Sequence, residues 1–274
     1  MKSRIIAICC MATMLGSCAN EFNRVYRTSD LDYKYEYAKE CFACGKFSQA
    51  TTLLQELVTP LKASDNAEES LYMLGMSEYC GGDFGSAAET FKKYHTSYPR
   101  GIFAEQALYH VGRSLYESTP EPRLDQSATI SAINAYQTFL DYFPDSKLRL
   151  EAQKNMFELQ DKLVLKEYLS AELYYNLGGY FGNCTNGGSN YEACIVTAQN
   201  AIKAYPYTSM REDFSLLIAK SKYELACQSV EEKKVERFRD AEDECYGFLN
   251  EFPESKDKEA VEKFIANCKK YTKN

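Results

Sequence analysis

Residues 71–99 read LYMLGMSEYCGGDFGSAAETFKKYHTSYP, with small and aromatic side chains at the spacing of two consecutive helices. Gly75 gives the first helix a small contact point, and Gly82-Asp83 separates it from the second. Ala87 is the small residue at which the second helix crosses the first, and Pro99 ends that helix. The stretch therefore predicts a hairpin of two helices.

The same pattern recurs along the chain. Aromatic-proline pairs close four units, at Tyr98-Pro99, Phe143-Pro144, Tyr205-Pro206 and Phe252-Pro253. Twelve residues before each proline stands a small residue: Ala87, Ala132, Cys194 and Ala241. The first helices carry Ala38, Gly75 and Gly112 at intervals of 37 residues. One hairpin cannot bury its own apolar face, so the repeat predicts an all-α superhelix of about five tetratricopeptide-like hairpins.

The repeats divide the chain into predicted segments. We expect a signal peptide at residues 1–17, a lipidated tether at 18–29, repeats 1–3 at 30–144 and repeats 4–5 at 145–274. One long helix followed by another is expected over Ser146 to Tyr180, because almost no helix breaker precedes Gly178. Insertions are predicted as loops at 183–190 and 228–235. A helix from Lys256 to Tyr271 is expected to cap the stack.

The first residues have the order of a secretory signal. Lys2 and Arg4 precede the apolar run 5–15, and Gly16-Ser17 leads to Cys18. This order resembles the lipobox of bacterial lipoproteins, which implies cleavage before Cys18 and acylation of that residue. Ala19 and Asn20 follow, and the resemblance implies sorting to the outer membrane, where we expect the periplasmic face. An ordinary secretory signal and an apolar first helix are the alternatives.

Charge and motifs restrict the function classes. The whole chain has a formal charge of -7, and residues 1–17 hold two basic and no acidic groups, so the part after Ser17 carries -7 - 2 = -9. This charge argues against nucleic acid as a partner. The two histidines, His95 and His110, stand near no nucleophile, phosphate-loop or metalloprotease motif. We therefore expect no enzyme activity, no metal and no cofactor other than the lipid on Cys18.

The cysteines after the lipobox are expected to be structural. Cys41 and Cys44 form a CxxC motif at the end of a predicted helix, where the helix dipole raises a thiol pKa and disfavours redox chemistry. They are interpreted as packing residues, with a redox or metal role as the alternative. Cys184 and Cys194 bracket a Gly/Asn-rich loop and are a candidate disulfide pair.

The first helices of the three N-terminal hairpins carry a repeated set of aromatic and basic residues. The members of this set stand three residues before, one residue after and four residues after Ala38, Gly75 and Gly112. They are Tyr35, Lys39, Phe42, Tyr72, Met76, Tyr79, Tyr109, Arg113 and Tyr116. We interpret them as a groove for an extended peptide, because tyrosine offers a broad apolar surface and a hydroxyl. Lys39 and Arg113 would meet a peptide carboxylate, with a solvated surface role as the alternative. Packing between repeats is the alternative for Phe42, Tyr79 and Tyr116.

The lipobox, the five hairpins, the insertion at Pro120-Glu121-Pro122-Arg123 and the long helix before Ala171 together resemble the BamD family, lipoproteins of the outer-membrane β-barrel assembly complex. The resemblance implies a scaffold that binds unfolded outer-membrane protein precursors. It also implies docking on a BamA-like barrel protein beside other assembly lipoproteins. The groove residues are its precursor-facing candidates by repeat position. The alternative is a repeat lipoprotein scaffold for cell-wall or Tol-Pal-type processes.

Overall fold

A computed structural model describes residues 21–179 and 189–272 of the chain, and within these ranges the secondary structure is helical, with no strand. This confirms the predicted all-α class. Besides a short helix at residues 21–26 and a 3-10 helix at Pro60–Ala63, the described helices are α1 Leu31–Ala43, α2 Phe47–Leu57, α3 Ala67–Cys80, α4 Phe84–Ser97, α5 Ala104–Glu117, α6 Ser127–Tyr142, α7 Arg149–Leu177, α8 Asn190–Ala204, α9 Arg211–Cys227, α10 Glu231–Glu251 and α11 Lys258–Thr272. The ten helices α1 to α10 pair in chain order, α1 with α2 and so on to α9 with α10. The five pairs are the five predicted hairpin repeats.

Local chain chemistry sets the helix ends. Gly45 and Gly82 have φ of 70° and 83° and follow α1 and α3, as the left-handed residue that closes a helix does. After α3, the Asp83 amide donates to the Glu78 carbonyl at 2.9 Å, and the Gly82 amide donates to the Tyr79 carbonyl. Asp83 then accepts from the Ser86 amide and caps α4. The Gly-Gly-Asp turn therefore closes one helix and opens the next.

The small residues lie where the helices cross, as predicted. The members counted back from each proline, Ala87, Ala132, Cys194 and Ala241, are all fully buried. A Cβ atom added at Gly75 would stand 2.8 Å from the Phe91 ring, and one at Gly112 would stand 2.8 Å from the Tyr136 ring. Each glycine therefore allows the aromatic ring of the following helix to reach the backbone.

The described residues form two compact units. Unit 1 contains residues up to Pro120 and Ser127–Leu159, and unit 2 contains Glu121–Gln126 and the chain from Gln160 onwards. The predicted long helix is present as α7, but it is a single helix of 29 residues and no second helix follows it before Gly178. This helix supplies residues to both units. The predicted division at 144/145 lies before this helix, whereas the change of unit lies within it.

Two expected segments differ in the structure. The predicted loop at 228–235 is wrong beyond Val230, because α10 begins at Glu231. Its first turn, Glu231 to Lys234, combines good helix formers with acidic residues at the positive end of the helix dipole. The predicted tether is also wrong over residues 21–26, which are helical, with Val25 fully buried. Residues 183–188 of the other predicted loop, and Cys18, lie outside the described ranges, and Asn190 at the end of that loop is the first residue of α8.

The last helix buries one apolar face. Val261, Ile265 and Cys268 are buried, while Ala260 and Phe264 beside them are partly covered. The spacing of three to four residues between the buried members is that of one helix face. α11 therefore packs on α10 through this face.

Candidate peptide-binding surface

The nine predicted groove residues lie at equivalent places in three hairpins of unit 1. α1 carries Tyr35, Lys39 and Phe42; α3 carries Tyr72, Met76 and Tyr79; α5 carries Tyr109, Arg113 and Tyr116. Their repeat positions are therefore as predicted. Their exposure is not uniform, and it separates them into a buried and a half-buried set.

The expected exposure of Tyr35 and Tyr109 is wrong. Their exposed fractions are 1% and 6%, and the Tyr109 ring contacts Phe139 with centroids 5.5 Å apart. Burial, followed by the Glu69 carboxyl, raises the pKa of Tyr35. Burial and the Glu151 carboxyl raise that of Tyr109 in the same way. The second helices of the hairpins cover both side chains, which are therefore core residues. Their raised pKa keeps both hydroxyls neutral.

Tyr72 is half-buried and already has an aromatic partner. Its ring stacks on that of Phe103, with centroids 4.4 Å apart and planes at 9°. The Tyr72 ring also contacts Phe91 at 5.7 Å. Tyr72 therefore joins α3 to α4 and to the turn before α5, and only part of its surface remains available to a ligand.

The two basic groove residues are paired within their own helices. Lys39 Nζ lies 3.0 Å from Glu36 Oε1 and 5.2 Å from the centre of the Tyr35 ring. Its hydrogen bond to Glu36 raises the pKa of Lys39. Arg113 Nη2 lies 2.6 Å from Glu117 Oε1, and both side chains are about a third exposed, at 30% and 31%. An incoming carboxylate would therefore compete with a local one.

A row of polar contacts crosses the first helices of successive hairpins, and we name it the polar ladder. Arg113 Nε donates to the Tyr79 hydroxyl at 3.3 Å, and the Arg113 guanidinium lies 5.1 Å from the centre of the Tyr116 ring. The Tyr116 hydroxyl donates to Glu158 Oε2 at 2.7 Å. The ladder of Tyr79, Arg113, Tyr116 and Glu158 thus connects α3, α5 and α7.

The ladder presents hydrogen-bonding groups on a half-buried aromatic surface. A guanidinium offers several donors in one plane, which suits a carboxylate or the backbone carbonyls of an extended chain. Partial burial strengthens such contacts relative to fully solvated ones. Sequence reasoning found Tyr79, Arg113 and Tyr116 but missed Glu158. That residue lies in the long helix, whose register departs from the 37-residue interval.

His110 lies beneath the ladder, packed among aromatic rings. Its ring stacks on Phe91 at 5.1 Å and meets Tyr79 edge-on at 5.4 Å. Burial, with the Arg113 charge adding to it, lowers the pKa of His110 to about 4. The side chain is therefore neutral near pH 7 and acts as an aromatic packing residue.

The thiols of the described residues are mostly buried. Cys41 is buried at the end of α1, and burial raises the pKa of its thiol, while Cys44 follows the helix and is exposed. Cys194 is buried and lies 3.1 Å from the Ser221 hydroxyl, whereas Cys184 lies outside the described ranges, so the disulfide stays a prediction. In the described part of the chain, no cluster of His, Cys, Asp or Glu is arranged to hold a metal ion.

Residues 29–187, more than half of the chain, match the outer membrane lipoprotein family YfiO. The chain belongs to the YfiO family. The matched region contains α1 to α7 and the whole polar ladder. Cys18 precedes it, and α8 to α11 follow it. YfiO is the BamD family, so the resemblance to the BamD family that the repeats and the lipobox indicate is confirmed.

One relative of this YfiO-family chain is the outer membrane protein assembly factor BamD of Caulobacter vibrioides, 22% identical over 176 residues. The alignment covers 63% of this chain and 58% of the Caulobacter protein, less than two thirds of that relative. Among solved structures, the TPR2AB domain of yeast Sti1 in a pHSP90 complex gives a TM-score of 0.44 at 14% identity. That comparison covers 89% of this chain and 85% of the other, and a TM-score this low supports no conclusion.

A helix that spans the bilayer would be a second way, besides a lipid, to hold the chain at a membrane. Within residues 21–179 and 189–272, none of the helices combines the length and apolar character needed to cross a bilayer.

Proposed function

We propose that the chain is a BamD-like outer-membrane protein assembly factor, a lipoprotein scaffold without enzymatic activity. In this proposal acylated Cys18 holds it at the periplasmic face of the outer membrane, unit 1 binds unfolded β-barrel precursors, and unit 2 docks on a BamA-like barrel protein beside other assembly lipoproteins. The single observation that carries the proposal is the YfiO-family match over residues 29–187. The BamD protein of Caulobacter vibrioides adds support.

The polar ladder supports precursor binding by unit 1. An unfolded barrel strand is an extended chain with unpaired backbone carbonyls and, at its end, a carboxylate. Arg113 is about a third exposed and is flanked by the rings of Tyr79 and Tyr116. Aromatic and arginine side chains together form the strongest contact points of protein interfaces. The ladder therefore suits a peptide end better than it suits a small polar metabolite.

Exposed apolar side chains support a protein partner for unit 2. Leu173 on α7 is 57% exposed, and it lines a groove of about 360 Å³ together with Arg123, Lys166 and Leu169. Lys166 Nζ donates to the Leu124 carbonyl at 3.0 Å and holds the 121–126 segment along this groove. The other lining residues, Ser170, Glu172 and Asn176, are polar, so the groove combines two leucines with charged and hydrogen-bonding groups, a mixture that fits the rim of a protein interface.

Leu173→Asp is expected to reduce recovery of a BamA-like barrel protein about tenfold when the tagged, acylated chain is purified from membranes in mild detergent. A carboxylate placed in a protein interface loses hydration without gaining a partner, and 1.4 kcal/mol corresponds to a tenfold change. Quantitative mass spectrometry of the co-purified proteins measures the recovery.

Phe157→Asp is the matched control for this experiment. Phe157 lies on the same helix and is 60% exposed, but it belongs to unit 1, so recovery should match that of the unsubstituted chain. Equal losses in both variants would remove the assignment to unit 2. Peptidoglycan-associated partners in place of a barrel protein would favour the cell-wall or Tol-Pal-type scaffold and reject the assembly role.

Arg113→Gln is expected to weaken binding of a barrel-precursor C-terminal peptide about tenfold, provided that the peptide ends in a free carboxylate. The substitution keeps an amide donor but removes the positive charge, and a hydrogen bond to a charged group contributes about 1.5–3 kcal/mol. Fluorescence anisotropy with peptides of about ten residues, the length of one membrane-spanning strand, measures the affinity.

Amidation of the peptide separates charge recognition from a change in folding. The amidated peptide should bind the unsubstituted chain as weakly as the carboxylate peptide binds Arg113→Gln, and the variant should not distinguish the two peptides. Arg100→Gln, the same change at an exposed arginine of unit 1, is the control. Equal discrimination between the peptides by all three proteins would rule out Arg113 as the carboxylate site.

A further inference from the structure

The first described residues are packed onto unit 1. Val25 is fully buried in the core cluster that contains Leu53, Leu57 and Leu61. Lys34 Nζ donates to the Tyr26 carbonyl at 2.9 Å and pairs with Glu56 Oε2 at 2.9 Å. The Lys34 residue is only 7% exposed, so this buried cation holds residues 21–26 in place. This segment is therefore part of the folded unit.

Only a short length of chain separates this packed segment from the lipid anchor. Cys18, Ala19 and Asn20 precede Glu21, and three residues span at most about 10 Å. The headgroup layer on one side of a bilayer is about 5–8 Å thick. A chain acylated on Cys18 therefore holds residues 21–26 at or within that layer. This step rests on the proposed acylation of Cys18.

Exposed side chains of residues 21–26 and of the first turn of α1 have the chemistry of a membrane interface. Tyr26, Leu31 and Tyr33 are large side chains with exposed fractions of 39–41%. Arg24 Nη2 donates to the Tyr33 hydroxyl at 3.3 Å, and the Arg24 side chain is 72% exposed. Tyrosine and arginine place an apolar body in the lipid and a polar end among the headgroups.

The charge of this region permits close approach to an anionic bilayer. Residues 18–34 contain three acidic residues, Glu21, Asp30 and Asp32, and three basic residues, Arg24, Arg27 and Lys34, so their net charge is zero. The formal charge of residues 35–274 is therefore -9 - 0 = -9. An anionic leaflet repels acidic surface over about a Debye length. The neutral segment can therefore lie close to an anionic bilayer without net repulsion.

We propose that Arg24, Tyr26, Leu31 and Tyr33 form a membrane-contacting surface, the anchor face, which lies in the lipid headgroup layer. The occupant of this surface is the bilayer that receives the acyl chains on Cys18. Contact through the anchor face fixes how unit 1 is oriented against the membrane, which a lipid on a long tether would not do. The polar ladder is then presented at a defined height above the bilayer.

The chain contains no tryptophan, so a single introduced tryptophan reports its own surroundings. Tyr26→Trp and Tyr33→Trp are each purified as acylated full-length protein and reconstituted into vesicles of phosphatidylethanolamine and phosphatidylglycerol. In both variants emission should shift to the blue, and lipids brominated near the headgroup end of their acyl chains should quench it at least twofold. Tyr142→Trp, at a 64% exposed position on α6, is the control and should show neither effect.

The outcomes separate this inference from the proposed function. Vesicle flotation and the intact mass report acylation, and a chain that lacks lipid and fails to float overturns both the anchoring and the anchor face. A chain that floats while Tyr26→Trp and Tyr33→Trp remain unquenched overturns the anchor face alone. Protection of these positions from aqueous iodide without bromolipid quenching, seen only when assembly partners are present, assigns the surface to a protein and also overturns the inference.

Discussion

Phe91→Ala is expected to lower the free energy of unfolding of unit 1 by about 3–5 kcal/mol, the usual loss for a fully buried phenylalanine. The Phe91 ring is fully buried, reaches the backbone at Gly75 and stacks on His110. Removal of the ring leaves a cavity beside Gly75, which has no side chain to fill it. The two packed helices cannot move together far enough to close it. A domain has about 5–15 kcal/mol in total, so unit 1 would lose a large part of its stability.

Urea unfolding followed by far-ultraviolet circular dichroism measures this loss, and hydrogen exchange locates it in α3 to α5. Phe157→Ala is the control, since Phe157 is 60% exposed in the same unit and its removal should change stability by less than about 0.5 kcal/mol. If Phe91→Ala unfolds at the same urea concentration as the unsubstituted chain, the Gly75 crossing is not a stabilising contact of the repeat.

The repeat register was predictable because it depends on local chemistry. Proline inside a helical pattern ends the helix before it, and a helix fixes the face on which a residue twelve positions earlier lies. Counting back from Pro206 therefore placed Cys194 at a helix crossing, although cysteine is not a residue that defines the repeat. The structure buries Cys194 completely. The helix pairing could be obtained in this way without knowledge of the packing.

The exposure of the aromatic residues was not predictable from spacing. On a helix with 100° per residue, Tyr109 and Tyr116 lie about 60° and about 40° from Gly112 on the same side. The sequence therefore gives them nearly the same face, yet Tyr109 is buried and Tyr116 is half-buried. The difference comes from the second helices and the turns that cover one end of each hairpin, and these are non-local contacts.

Two other features depended on packing in the same way. Val25 and its neighbours are too few to show a helical period, so their burial against α2 was not visible in a polar segment. Glu158 belongs to the polar ladder only because α7 passes beside α5. The candidate site was thus found in part from repeat positions, and its last member required the three-dimensional structure.

The stability of unit 1 is expected to fall by about 2–3 kcal/mol between pH 7 and pH 4 through His110 alone. Its pKa is about 4 in the folded chain, and the ordinary histidine value is 6.5. Between these values the unfolded chain binds a proton that the folded chain does not, so stability increases with pH across this window. The loss begins as pH falls through 6.5 and is nearly complete at the folded value.

His110→Gln should remove this dependence, because glutamine does not titrate and retains a polar group at the site. The comparison is made as the difference between two urea-unfolding series, from pH 7 to pH 4, for the variant and the unsubstituted chain. Glu78, whose pKa burial raises, is present in both proteins and cancels in that difference. Arg113 and Glu151, the charged groups that act on His110, are also unchanged. Parallel curves for the two proteins would contradict the predicted exclusion of a charged imidazole. A curve for His110→Gln that is flatter between pH 6.5 and pH 4 would instead tie the half-buried ring beneath the polar ladder to the acid sensitivity of unit 1.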